Sequence, residues 1–549
     1  MTSERTLLRL SWLVPAAVLL PIAAAVLAAL QTDLSTLREV LSTVLPGYTR
    51  TTLTLAVSVA VLTAVTGTVT AWLVTVYRFP GSRLLEVLLV LPLAFPAYVL
   101  AYAYTAMLDH PGPVQTLLRE VTGWGPRAYW FPEIRSLGGA IAMLSFVLYP
   151  YVYLLARASF RQQAVSGYLA ARTLGQGAAG AFRRVALPLS RPAVAGGTLL
   201  VIMETIADYG TVAHFNVQTF ATGIFQAWFS VGDRGAAAQL ALCLLVFALV
   251  LATLERGQRG RMPLAGRGGR FDSIQPVPLT GPAALLATAV CAAPVLVGFV
   301  IPLAMLGVMA VGSGQSPLDP RYIGFFTNSV TVSALAAVLT VAGAVLVSFR
   351  ARQRRGGAAD PFLIFSSIGY AVPGGVIAVG LMVPFAGFDN WVDGLMERHF
   401  GIDTGLLITG SIWLMVLAYV VRFMAAALNA FDSGLATVPL HYDAVARSLG
   451  KTSPGVLRHV HLPAARTSLM TAGLIVFVDA MKELPATLIL HPFDFQTLAV
   501  QAHRLASDER LTQAAVPSLA LVAVGVVPVV ILCRRIGREA MPTAPPAPA

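Results

Sequence analysis

Long apolar runs cut by short polar stretches dominate this chain, and their lengths set the first expectation. Windows of about 20 apolar residues, enough to cross a hydrocarbon layer as helix, fall near 11–30, 51–76, 85–108, 137–156, 194–213 and 237–254. After a hydrophilic joint, a second series falls near 282–309, 327–349, 361–386, 406–427, 468–490 and 515–532. The pattern predicts an all-α polytopic membrane protein with twelve transmembrane helices in two tandem sets of six. An even count puts both termini on one side. The first run follows Arg5 and Arg9 as a signal peptide would, but it outlasts a signal core and is expected to remain as a span.

Two polar islands interrupt this pattern, and they match each other. Residues 169–191, LAARTLGQGAAGAFRRVALPLSR, and 444–466, AVARSLGKTSPGVLRHVHLPAAR, agree at ten of 23 positions at an offset of 275. Unrelated segments of this composition would agree at about two. Ala171/Ala446, Arg172/Arg447, Gly175/Gly450, Leu187/Leu462 and Pro188/Pro463 are among the matches. Each island reads as a helix, a left-handed Gly turn at Gly175 or Gly450, and a second short helix. In the first copy that second helix is expected over 178–186, with Pro188 stopping it. The duplication extends outward: Leu53–Thr63 resembles Val330–Thr340, and Pro96 falls opposite Pro373, both at offset 277. Halves of even span count share one orientation, so the chain reads as a fused pseudo-dimer about an axis along the membrane normal.

Composition excludes a soluble globule: the 549 residues are 56% hydrophobic and 12% charged, with mean hydropathy +0.74. The net charge of +12 would suggest nucleic acid in a soluble protein. Here its distribution reads as topology, and no nucleic-acid partner is expected. With the N-terminus inside, most of the 38 Lys and Arg fall in cytoplasmic segments, including both islands, with Arg422 assigned to the inner end of the tenth span. Contact with anionic lipid explains most of these clusters. Cys243, Cys291 and Cys533 lie far apart without metal spacing and read as apolar fillers.

Four acids sit inside spans. Glu204 and Asp208 recur as Asp479 and Glu483 at offset 275. Their i, i+4 spacing places each pair on one helix face. An acid at mid-bilayer costs about 2.5–3.5 kcal/mol on insertion scales, so such residues face a bundle interior or a water path. They are the candidate lining of a cation-attracting pathway; the competing reading is packing, with Lys482 neutralising Asp479. Pro92, Pro96, Pro373 and Pro384 are expected to kink or break helices, and Gly196-Gly197 and Gly374-Gly375 to permit close approach. Leu449-Gly450-Lys451-Thr452 ends like a phosphate loop, but Val445 stands where that loop needs Gly. His459 and His461 lack a third ligand and read as solvated or partner-contacting. No catalytic residue, metal site or cofactor is expected in this chain.

The Gly and hydrophobic-Leu-Pro positions of the islands resemble the cytoplasmic "EAA" loop of ATP-binding-cassette importer permeases. Leu169 and Ala444 stand where that family has Glu. The resemblance implies that Ala171, Arg172, Gly175, Leu187, Pro188, Ala446, Arg447, Gly450, Leu462 and Pro463 form coupling loops that dock two cytosolic ATPase subunits. The segments METIADYG (203–210) and MKELPATL (481–488) resemble more narrowly the fused ferric-iron importer permeases. That resemblance implies two type I importer repeats in a bacterial inner membrane, cytoplasmic termini, an external binding protein and ferric iron as cargo; thiamine and phosphonate permeases share the architecture.

The organisation expected is a first span and outer segment (1–47), a first repeat domain (48–256), a flexible Gly/Arg/Pro-rich cytoplasmic linker (257–281), a seventh span and outer segment (282–325), a second repeat domain (326–533) and a disordered tail (534–549). A twelve-span secondary transporter is the rival reading from another class, although it has no use for paired basic islands.

Overall fold

The computed structural model describes residues 2–32, 38, 42–126, 128–162, 173–260, 276–354, 361–435 and 438–539. In lipid the backbone must satisfy its own polar groups, so the apolar runs become helices. Among the described residues ten helices are long and apolar enough to cross a bilayer, or twelve when two bent pairs each count as one crossing. The twelve fall in order on the twelve apolar windows. Leu13–Gln31, Leu45–Val76, Leu137–Gln162, Leu187–Ala207 and Arg234–Gly260 belong to the first half. Pro320–Arg354, Gly374–Phe400, Ile412–Leu435, Arg466–Lys482 and Leu511–Glu539 belong to the second.

The two halves exchange their first spans. Leu13–Gln31 packs against Gly374–Phe400 and Pro361–Ser367 of the second half as well as Arg234–Gly260 of its own. The seventh span, Gly281–Val295 continued by Ile301–Gly312, packs against Leu45–Val76, Ser82–Leu88 and Ala97–Leu108 of the first half, and against Leu511–Glu539. Small residues make these crossings possible, since association in lipid rests on close packing rather than on a hydrophobic drive. A Cβ on Gly380 would collide with the Pro21 carbonyl, and one on Gly298 would lie 2.9 Å from the Phe146 carbonyl. Pro21 and Gly298 are themselves repeat counterparts, at offset 277. The expected close approach at Gly196-Gly197 also holds, a Cβ on Gly197 lying 2.9 Å from Val152 Cα.

Several expectations need correction. The helix does not stop at Pro188: Ala178–Ala181 runs through a π turn, Phe182–Ala186, into Leu187–Ala207. The wider π turn just before the proline accommodates its ring and missing N–H. The second copy has the same π turn at Leu457–His461 but bends by 77° after Pro463. Pro384 lies inside Gly374–Phe400 without breaking it. The linker is ordered at its far end, where Val277 and Pro278 pair in parallel with Tyr77 and Arg78. The segments 261–275 and 540–549 lie outside the described residues.

Candidate functional site

Among the described residues two helix breaks recur at corresponding positions of both halves, and these four meet between the halves. At the first, Pro96 and Pro373 cap the starts of Ala97–Leu108 and Gly374–Phe400. Proline drives the residue before it out of the helical region, and Phe95 and Val372 are extended at ψ 130° and 120°. At the second, Leu187–Ala207 ends at Asp208 and Arg466–Lys482 ends at Glu483, with φ −67° at both acids and ψ 129° and 123°. Each acid then caps the short helix that follows. Asp208 accepts from Thr211 N (3.0 Å), Val212 N (3.2 Å) and Thr211 Oγ1 (3.1 Å). Glu483 accepts from Ala486 N (3.1 Å), Thr487 N (3.1 Å) and Thr487 Oγ1 (2.9 Å). A side-chain acceptor at a helix start satisfies amides that have no partner within the helix. The expected arrangement of each acid pair along one continuous helix face is therefore incorrect, because the helix terminates between the members of each pair.

The four acids nevertheless converge. Glu204, Asp208, Asp479 and Glu483 all line one cavity of about 180 Å³, with Arg422, Lys482 and the rings of Tyr98, Tyr151, Tyr209 and Tyr370. Glu204 accepts from the Tyr370 hydroxyl at 3.1 Å. Asp479 stands 3.4 Å from Lys482, as the packing reading required, yet its side chain is 41% exposed. Arg422 Nε lies 3.9 Å from Glu483 and its Nη1 donates to the Val372 carbonyl (3.4 Å). Four carboxylates thus face two bases. Among the described residues no three His, Cys, Asp or Glu side chains are close enough to hold a metal ion together.

Sequence reasoning found Lys482 beside Asp479 but missed Arg422 and the rings of this cavity. Arg422 had been assigned to the inner end of its span, since charge counting registers a base but not its depth. The tyrosines carried no signal beyond apolar periodicity. The Tyr98 hydroxyl is buried without a hydrogen-bond partner among the described residues.

The described parts of the islands follow the ends of Leu137–Gln162 and Ile412–Leu435 opposite to those that adjoin the loops 109–136 and 401–411. Gly175 and Gly450 both adopt left-handed conformations, φ +80° and +78°, and the preceding Leu174 and Leu449 are 81% and 75% exposed. Leu169, Ala171 and Arg172 lie outside the described residues. In the second copy Ala444, Ala446 and Arg447 are on Leu440–Ser448, with Arg447 donating to Gln353 (2.7 Å). His461 is not solvated as expected. It is buried against Asp443 (2.9 Å), which also receives Arg352 (2.7 Å). Burial pushes the Asp443 carboxyl up, but the hydrogen bonds from Arg352 and His461 outweigh it and hold the group below the usual range.

Comparison with known proteins gives this architecture a family. The profile of the binding-protein-dependent transport system inner membrane component matches twice, at 63–262 and 341–540. The chain is 26% identical to the Fe(3+)-transport system permease protein FbpB 2 of Haemophilus influenzae over 88% of each chain. It is 23% identical to the ferric transport system permease protein FbpB of Actinobacillus pleuropneumoniae over 73% of this chain and 58% of that one. It is also 27% identical to the molybdenum transport system permease protein ModB of Escherichia coli, over 35% of this chain and 86% of the relative. With both matches together covering most of its length, the chain belongs to the binding-protein-dependent transport system inner membrane components, as a two-repeat, multi-pass ABC permease of a bacterial inner-membrane transport system.

Proposed function

We propose that this chain carries ferric iron across the inner membrane, released to it by an external binding protein and moved by two cytosolic ATPases. The reading rests above all on the central cavity, where carboxylates from corresponding positions of both repeats outnumber the bases. Such a lining favours a cation without caging it, and a carrier must release what it binds. The island side is the cytoplasmic side, a placement that the bias of Arg and Lys supports. There the exposed leucines before Gly175 and Gly450 offer each ATPase an apolar contact in the same register. Closure of the ATPases draws the islands together, and the rigid helices transmit this to the breaks at Pro96, Asp208, Pro373 and Glu483. The chain hydrolyses nothing itself.

Arg422 and Lys482 in the same cavity favour a second reading, an anionic cargo, in line with the molybdenum relative's name. Uptake of radiolabelled ferric iron by cells lacking the chain, with and without the chain restored, separates the two. Unchanged iron uptake in the deleted strain overturns the iron assignment.

A further inference from the structure

Two further cavities flank the central one, and each meets it at a single residue. On the outer side a cavity of about 220 Å³ is built wholly from the first repeat, residues 209–230. On the island side a cavity of about 600 Å³ lies between the repeats and holds Glu255 and Asp432. Tyr209 is the one lining residue shared by the central and outer cavities, and Tyr370 the one shared by the central and island-side cavities.

Both rings are held in place. Tyr209 stacks on Phe225 with centroids 3.8 Å apart and rings 21° from parallel, and the His503 ring lies 5.7 Å from it, tilted by 60°. Aligning Gln218-Thr219 with Gln496-Thr497 makes Phe225 and His503 repeat counterparts, so one ring fills the gap between matching positions of the two halves. Tyr370 is held by its hydroxyl on Glu204. Neither tyrosine recurs: Leu484 stands opposite Tyr209 at offset 275 and Leu93 opposite Tyr370 at offset 277, and both leucines line the central cavity.

Building on the reading of the central cavity as the solute's resting place, we propose that Tyr209 and Tyr370 are the outer and inner gates of the path. The path enters through the first repeat and leaves beside the island-side acids, off the pseudo-twofold axis. Swinging the Tyr209 ring off Phe225 joins the central cavity to the outer one. Breaking the Tyr370–Glu204 hydrogen bond joins it to the inner one and frees a carboxylate to face the departing solute.

Thiol labelling tests this without ATP or cargo. Cys243, Cys291 and Cys533 are first replaced by Ala, and Ala207→Cys places a reporter in the wall of the central cavity. In right-side-out vesicles with an impermeant methanethiosulfonate outside, Tyr209→Ala and Tyr209→Leu should each speed labelling at least tenfold. Leu484→Ala should stay within twofold of the parent, as should Tyr209→Phe, which keeps the stacked ring. In inside-out vesicles, Tyr370→Ala should give the same acceleration and Leu93→Ala none. Equal acceleration by the leucine variants puts the path on the axis and overturns the proposal, as does no acceleration by either tyrosine variant. Loss of the iron reading would leave these rates untouched, so the two failures are distinguishable.

Discussion

Substituting Glu483 separates the two jobs that acids do in the central cavity. Its carboxylate satisfies two buried amides and the Thr487 hydroxyl at 2.9–3.1 Å, and it lies 3.9 Å from Arg422. Removing a helix cap costs about 0.5–2 kcal/mol, and stranding a buried donor about 1–3 kcal/mol. The two figures overlap, so Glu483→Ala should destabilise by about 2–4 kcal/mol. Glu483→Gln keeps a carbonyl acceptor and should cost about 1 kcal/mol, mostly the lost charge assistance. Among the described residues Asp479 makes no such backbone contact, and it is 41% exposed, so Asp479→Asn should change stability by less than about 0.5 kcal/mol. Purified in detergent and heated with a thiol- or tryptophan-based unfolding readout, the three variants should rank Ala well below Gln, and Gln below Asn. In proteoliposomes with ATPase and binding protein the order changes, since Asp479→Asn should lose iron uptake at full stability. Should Glu483→Ala melt with the parent, or Gln as low as Ala, the cap is not what holds this break.

Other perturbations probe the island side and the outer rim. Glu86 Oε1 receives Arg157 (2.6 Å) and Arg161 (2.9 Å) in a nearly dry site, so Glu86→Ala strands a buried guanidinium and should cost about 3–5 kcal/mol, read as loss of a monodisperse peak on size exclusion. Gly175→Val with Gly450→Val forces β-branched residues into φ near +80°, at about 1–2 kcal/mol each; co-purification of the ATPase should fall while the chain still inserts, and retained co-purification refutes the docking role. At the outer rim, hydrogen bonds from Arg135 hold the Glu509 carboxyl below the usual range. A depressed folded-state pKa gives stability above the unfolded value near pH 4.3 and loses it as pH falls further. The melting gap between parent and Glu509→Gln, under about 1 kcal/mol for so exposed a pair, should therefore be present at pH 7 and shrink as pH falls below the unfolded value, through the lowered folded one.

The sequence carried the repeat and the span order because both are periodic signals that need no tertiary contact. The left-handed glycines were legible for the same reason: a Gly between helix formers has one common use. The helix breaks at Asp208 and Glu483 were not, because an acid in an apolar run looks the same whether it rides a helix face or caps a new helix. Only the partner amides decide, and they lie three and four residues on. Exchange of the first spans left no trace either, since a lipid-facing and a protein-facing apolar helix differ mainly in where small residues such as Gly298 and Gly380 fall. Charge counting misplaced Arg422, and the spacing of His459 and His461 gave no sign that Asp443 buries the second. It registers how many charges a segment carries, not what Glu483 or Asp443 does to hold them.

Fusion of the two repeats into one chain explains why the cavity can be lopsided. In a homodimer every substitution appears twice about the axis, so a new base or ring arrives with its mirror image. Here Val147 is the counterpart of Arg422 at offset 275 and Ala207 that of Lys482, so both bases came to one repeat alone. The supports on the island side have diverged as well: Glu86 with Arg157 and Arg161 braces the first half, Arg352 with Asp443 and His461 the second. Acids stand at both corresponding positions in each copy, and those at Asp208 and Glu483 cap the breaks, whereas the bases and the two tyrosines differ between copies. On the proposed reading of a cationic cargo, two bases supplied by one repeat among four carboxylates weaken the hold that the acids alone would have, so that the solute can leave again.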